Sequence, residues 1–208
     1  MLDRLGIDRI AVIARCGAQF VTALKSAMTA RIGPVVLVSP SAPTAESGRR
    51  HGVVGVIKEA FYRSPRLIDF YFRVICAQLT LERTERLTRA IVTGSRTDAE
   101  MCDDQQFIRD RFRAIRPFST GNLIGAVIEE NLISSDSFAV PEVDHHDWVI
   151  MQGEDDMHFS ADDVLRYWHA KLPDARLAVI PDGGRFMTSS HPGRIVDLLD
   201  ELANARSS

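Results

Sequence analysis

The chain has 208 residues, of which 45% are hydrophobic and 25% charged, the composition of an ordinary folded globular domain. Its net charge of −3 gives no indication of a nucleic-acid partner. No apolar signal segment or bilayer-spanning run is visible, and the three cysteines follow neither a zinc nor a disulfide spacing, so we expect a cytoplasmic protein.

The first predicted strand leads directly into a tight turn and a helix. Residues 10–14 are apolar without alternation, which is typical of a buried parallel strand. The turn reads ARCGA over residues 14–18, and a helical pattern follows over residues 19–30. This is the layout of a nucleophile elbow, with the thiol of Cys16 at the nucleophile position. The inward face of the helix is predicted to consist of Phe20, Val21, Leu24 and Met28.

Three more buried strands are predicted further along the chain, and a helix is predicted between the last two. The strands are residues 34–39, 148–152 and 176–180. A helix between the last two is expected to begin with a capping box at residues 160–163. The final helix begins near Pro192, after a turn at residues 181–184. Strands that alternate with helices predict an α/β fold with a parallel sheet and helices on both faces.

The block of residues 41–146 contains no convincing strand and is predicted to be helical. Four helical segments are predicted in this block. The first begins at Ser64-Pro65, and the second spans residues 80–93. The third runs from a capping box at 97–100 to about residue 115, and the fourth spans 119–133. Helices inserted here are expected to lie over the carboxyl edge of the sheet, where open α/β sheets bind ligands. We therefore predict a single domain over residues 1–208, with a core formed by 1–40 and 147–208 and an inserted helical cap at 41–146.

Four segments, taken in order, resemble the α/β-hydrolase family. LDRLGIDRIAVIARCGA resembles the family's run into the nucleophile strand, and PVVLVSPSAP resembles the strand before its cap. WVIMQGEDD resembles the strand and turn that present the acid, and LPDARLAVIPDGGRF the last strand and the turn that presents the histidine. The resemblance implies a partial α/β-hydrolase fold with the N-terminal strands missing. IRPFSTGNLIG and GRFMTSSHP also resemble hydrolase domains fused to bacterial helix-turn-helix transcriptional regulators.

The resemblance also implies roles for individual residues. Cys16 takes the nucleophile position, and Gly17 the position whose backbone N–H donates to the oxyanion. Asp156 takes the position of the acid that orients the histidine. At the position of that histidine the chain has Arg185, which cannot act as a general base because its guanidinium keeps the proton. We expect an Arg185–Asp156 ion pair or, as an alternative base, His191 swinging in from the start of the last helix.

The remaining histidines and arginines are expected to be structural. His158 is a second alternative base, but it reads more simply as a loop residue. His145 and His146 lack further ligands in the sequence pattern, so we predict no metal and no cofactor. A run of arginines is expected to form a solvated helix face: Arg109, Arg111, Arg113 and Arg116.

Two functional interpretations stay open. The first is a hydrolase of a small ester or acyl substrate that acts through Cys16, with its activity weakened because Arg185 replaces the histidine. The second is a non-catalytic ligand-sensing or regulatory domain that keeps the pocket without the base. The expected partners are a small-molecule substrate or ligand, no nucleic acid and no membrane. A second copy of the chain is also expected, paired along the exposed edge of the strand at residues 10–14.

Overall fold

The computed structural model describes residues 2–15, 17–42, 64–76, 79–92, 94–116, 124–125, 127–128, 146–156 and 159–205. Several sequence predictions lie outside these residues. They concern Cys16, His145, His158 and most of the helical segment predicted within 119–133.

Four parallel strands form one sheet in the described part of the chain. In chain order, which is also their order in the sheet, they are β1 (Ile10–Arg15), β2 (Ile32–Val38), β3 (Trp148–Gly153) and β4 (Arg176–Ile180). Arg15 lies beside Val38, and Val38 beside Met151, so β1 and β2 end level with each other while β3 continues to Gly153. The predicted α/β fold with a parallel sheet is confirmed.

Different helices cover the two faces of this sheet. The helices of the described ranges are α1 (Ala18–Ala27), α2 (Pro65–Cys76), α3 (Leu81–Ile91), α4 (Arg96–Met101), α5 (Gln105–Ile115), α6 (Ala161–Lys171), α7 (Met187–Ser190) and α8 (Pro192–Ala205). Along β2, Val35 and Leu37 pack with α1 and α6, while Val36 and Val38 pack with α7 and α8. This alternation follows from the two-residue period of a strand, and it explains why β2 reads as a continuous apolar run. None of these helices is long and apolar enough to cross a membrane.

Three predicted features of the helix starts are wrong. The helix predicted from residue 97 to about 115 is two helices, because Asp104 caps a new start by accepting from Gln106 N at 2.7 Å. The first of the two, α4, is capped by Ser95, whose hydroxyl accepts from Asp98 N at 3.2 Å, so the capping box at 97–100 does not form. Ser160 precedes α6 without a side-chain cap, so the box at 160–163 does not form either.

The prediction for the inward face of α1 is also wrong. Val21 is buried, but Phe20 is 47% exposed, and Leu24 and Met28 are exposed as well. Lys25 points inward instead, and its ammonium donates there to Ile32 O, Gly33 O and Asp147 Oδ2. The bonds of Lys25 therefore fix the rotation of α1 and turn the apolar stripe away from the sheet.

Lys25 and Asp147 form a buried ion pair at the amino ends of β2 and β3. Their side chains are 3% and 2% exposed, and Lys25 Nζ lies 2.6 Å from Asp147 Oδ2. The same ammonium donates to Ile32 O at 3.1 Å and to Gly33 O at 2.9 Å. All three ammonium protons thus have an acceptor, the condition under which a buried charge is tolerated.

Helices α2–α5 lie between β2 and β3 in the sequence, and residues of α3, α4 and α5 or their C-caps pack against the loop that follows β4. Phe186 from that loop is buried together with Val92, Cys102 and Ile108. The ring of Phe107 on α5 meets the Phe186 ring edge-on, at 5.3 Å between centroids. The helical block therefore contacts the segment that follows the last strand of the sheet.

Candidate active site

The turns after β3 and β4 touch through their backbones. Glu154 N donates to Ile180 O at 2.9 Å, and Asp155 N donates to Gly183 O at 3.0 Å. A Cβ atom at position 153 would collide with the carbonyl of Gly183, so this close approach requires Gly153. The contact brings Asp156 and Arg185, which follow the two turns, into one place.

Arg185 and Asp156 form an ion pair there. Arg185 Nη1 lies 3.5 Å from Asp156 Oδ2, and the two side chains are 15% and 1% exposed. Asp156 also accepts from Gln152 Nε2 and from Phe159 N, both at 3.3 Å. The guanidinium carbon of Arg185 lies 5.0 Å from the centre of the Phe159 ring. The cation of Arg185 is therefore placed to neutralise the buried carboxylate of Asp156.

His191 lies in a different cluster. Its Nε2 is 3.2 Å from Asp182 Oδ1, and its Nδ1 is 2.8 Å from Ser190 Oγ. The structure does not bring His191 into contact with Asp156. Within the described ranges, no three His, Cys, Asp or Glu side chains are arranged to hold a metal ion.

The elbow that the sequence predicts falls at the junction of β1 and α1. Gly17 is the N-cap of α1, and its N–H donates to Arg15 O at 2.8 Å. The predicted oxyanion donor is thus engaged by the backbone, and an oxyanion would have to replace that bond. Cys16 itself lies outside the described residues.

A carboxylate that the sequence patterns did not single out holds the backbone at Arg185. The side chain of Asp98 on α4 is buried and accepts from Arg185 N and, at 3.1 Å, from Phe186 N. Burial raises the pKa of Asp98, and the two N–H donors oppose that shift. A Cβ at position 184 would collide with this carboxylate, which explains Gly184. The pair Gly183-Gly184 was the available signal for a close approach.

The prediction of a solvated arginine face is wrong for Arg111. Arg109, Arg113 and Arg116 are exposed, but Arg111 is partly buried with its guanidinium carbon 4.3 Å from the centre of the Phe186 ring. Its Nε donates to Thr88 Oγ1 at 3.1 Å. Burial and the neighbouring charge of Arg15 lower the pKa of Arg111 to about 10. It remains a cation at neutral pH.

This arrangement of strands, helices and turns is the α/β-hydrolase fold. Solved α/β hydrolases superimpose on nearly the whole chain. One is MGS-M2, an enzyme from a Medee basin deep-sea metagenome library, with a TM-score of 0.59 and 16% identity over 98% of this chain. Another is Est816, described as an N-acyl homoserine lactone degrading enzyme, with a TM-score of 0.58 and 15% identity over 96% of the chain.

A third similar structure is 2-hydroxy-6-oxo-6-phenylhexa-2,4-dienoate hydrolase from Rhodococcus sp. strain RHA1, with a TM-score of 0.55 and 16% identity over 98% of the chain. The chain spans 68%, 70% and 66% of the lengths of these three proteins. No protein-family model matches the sequence, and comparison with curated proteins gives no match. At this level of identity the likeness shows the fold.

Proposed function

We propose that this chain binds a small ester or acyl compound at the carboxyl edge of its sheet and hydrolyses it slowly through Cys16. The observation that carries the proposal is the Arg185–Asp156 ion pair. The resemblance gives Asp156 the role of the acid, but its partner Arg185 cannot accept a proton. Thiolate attack on an activated ester needs no base, whereas release of the acyl group by water does.

The elbow position supports a reactive thiol at Cys16. The residue lies between the end of β1 at Arg15 and the N-cap of α1 at Gly17. A helix N-terminus and a neighbouring arginine both favour the thiolate form. Helices α2–α5 are proposed to cap the site, since Asp98 and Phe107 contact the segment that follows β4. A cytoplasmic location is proposed because Cys76 and Cys102 are free thiols.

A second candidate is a non-catalytic ligand-sensing or regulatory domain. It is favoured by the bond between Gly17 N and Arg15 O, which occupies the predicted oxyanion donor. Without a base or a free donor, a bound compound would act as a signal and not as a substrate. The two candidates differ in whether Cys16 becomes acylated.

Acyl transfer from p-nitrophenyl acetate distinguishes these candidates. We expect a burst of roughly one equivalent of p-nitrophenol per chain, followed by slow release, because deacylation lacks a base. Mass spectrometry should locate the acetyl group on Cys16. Burial raises the pKa of both Cys76 and Cys102, so these thiols should react much more slowly.

The matched controls are Cys16→Ala, which should abolish the burst, and Cys16→Ser, which should reduce it strongly. Absence of a burst in the unaltered protein would favour the sensing domain. A burst that persists in Cys16→Ala would show that the elbow assignment is wrong.

The exposed edge of β1 supports a strand-paired dimer. In the described part of the chain β1 pairs only with β2, and Ile13 on β1 is 49% exposed. An apolar edge strand readily pairs with another chain. We expect sedimentation velocity to show a concentration-dependent dimer that Ile13→Lys converts to a monomer. Val196→Lys, at an exposed apolar position on α8, is the control and should stay dimeric. A monomer at every concentration of the unaltered protein would refute the pairing.

A further inference from the structure

A serine, a histidine and an aspartate form a series of hydrogen bonds near the start of α8. Ser190 is the last residue of α7, and His191 stands between α7 and α8. His191 Nδ1 lies 2.8 Å from Ser190 Oγ, and its Nε2 lies 3.2 Å from Asp182 Oδ1 in the turn after β4. None of the three holds a position that the α/β-hydrolase resemblance assigns to the nucleophile, the acid or the histidine.

The sequence places His191 at the break between two helices. The residue before a proline is disfavoured in a helix, and His191 precedes Pro192. Its backbone N–H still donates to Met187 O at 2.8 Å, which makes it the C-cap of α7. The imidazole is therefore held next to the hydroxyl of the preceding residue.

The contact with Asp182 decides which nitrogen of His191 carries the proton. A carboxylate at neutral pH only accepts hydrogen bonds, so Nε2 is the N–H donor to Asp182 and Nδ1 keeps its lone pair. Ser190 therefore donates its hydroxyl proton to Nδ1, and the alternative acceptor Phe186 O is farther away, at 3.3 Å. His191 is thus placed as a general base for Ser190, while Asp182 holds the tautomer and stabilises the imidazolium.

Solvent reaches these three side chains. Ser190 is partly exposed, and the side chains of His191 and Asp182 are 17% and 74% exposed. A Cβ atom at Gly193, in the first turn of α8, would meet nothing within 4 Å. A small electrophile can therefore reach the hydroxyl from solution, and the reaction needs no enclosed pocket.

We propose that Ser190 is a nucleophile and that it takes neutral organophosphorus compounds with a good leaving group. Its oxygen attacks the phosphorus atom, the bond from phosphorus to the leaving group breaks, and the hydroxyl proton passes to His191 Nδ1. A phosphoryl oxygen already carries much of its negative charge before the attack, so the step depends less on oxyanion donors than attack on a carboxylic ester does. It needs mainly a nucleophile and a base, which Ser190 and His191 supply. The proposal is independent of Cys16 and of the Arg185–Asp156 pair.

Labelling with diisopropyl phosphorofluoridate in the Cys16→Ala background tests the proposal. We expect one diisopropylphosphoryl group per chain, which mass spectrometry of the peptides should locate on Ser190. His191→Asn keeps a hydrogen-bond acceptor but cannot take the proton, so it should slow the labelling by about 10²–10⁴-fold. Asp182→Asn should slow the labelling by about 2- to 5-fold, because water screens an exposed carboxylate, and Asp182→Glu should restore the rate.

Ser189→Ala is the matched control for Ser190→Ala, since Ser189 is the exposed neighbour on the same helix. Ser189→Ala should keep the full labelling rate, whereas Ser190→Ala should remove the label. Thermal unfolding of each variant checks that it is folded. A label on another residue, or no label at all, would overturn the proposal before any further variant is made. An unchanged labelling rate in a folded His191→Asn would overturn the assignment of the base.

Discussion

Arg185→His is expected to raise the turnover of a small ester by about 10²–10⁴-fold, the usual contribution of a general base. The backbone at position 185 is held by Asp98, and the side chain at this position already reaches Asp156. An imidazole there could accept a hydrogen bond on one nitrogen and donate to Asp156 with the other. The measurement is steady-state hydrolysis of p-nitrophenyl acetate after the burst.

The gain in turnover of Arg185→His should depend on pH and on Asp156. The rate should rise with pH through a pKa of about 6.5, because only neutral histidine acts as a base. Arg185→Gln removes the ion pair without supplying a base and should give no comparable gain. Adding Asp156→Asn to Arg185→His should cancel most of the increase. An unaltered protein that turns over as fast as Arg185→His would show that another group is the base.

Lys25→Met is expected to lower the free energy of unfolding by about 3–5 kcal/mol, because it leaves Asp147 buried without its cation. A domain of this size is stable by only about 5–15 kcal/mol, so the variant should be close to unfolding. The carbonyls of Ile32 and Gly33 would lose their donor as well. Urea unfolding, with the midpoint and slope fitted together, measures the loss.

A second substitution separates the buried charge from the packing. Lys25→Met combined with Asp147→Asn should regain part of the stability, because no charge is then buried alone. Arg86→Met removes an exposed ion pair with Glu82 and should cost less than about 1 kcal/mol. If Lys25→Met costs no more than Arg86→Met, the buried pair does not fix α1 to the sheet.

The two central strands, β2 and β3, could be predicted from the sequence because they are buried on both faces. Residues 148–151 and 34–38 are apolar without a break, and that pattern has few structural solutions. The burial predicted for β1 and β4 is wrong, since Ile13, Leu177 and Val179 are 49%, 41% and 47% exposed. The rotation of α1 could not be predicted, because the apolar stripe through Phe20 looks like a core face. The bonds of Lys25 decide the rotation, and they depend on Asp147, which is 122 residues away.

The acid and the arginine of the candidate site were predictable because each follows a recognisable strand end. The Arg185–Asp156 contact follows from charge and position once the fold is known. Asp98 could not be assigned, since Ser-x-x-Asp and Thr-x-x-Glu are equally good local helix starts. Its carboxylate accepts a hydrogen bond from a backbone N–H 87 residues further along the chain. The burial of Arg111 could not be predicted either, because it depends on contact with Phe186, which is distant in the sequence.

The hydrogen bonds that Asp98 accepts from the backbone at positions 185 and 186 have an evolutionary consequence. The carboxylate binds main-chain N–H groups, so its bonds are the same whichever side chain stands at position 185. Histidine and arginine codons can differ by a single nucleotide. A lineage could therefore exchange one residue for the other and keep the hydrogen bonds that hold this backbone.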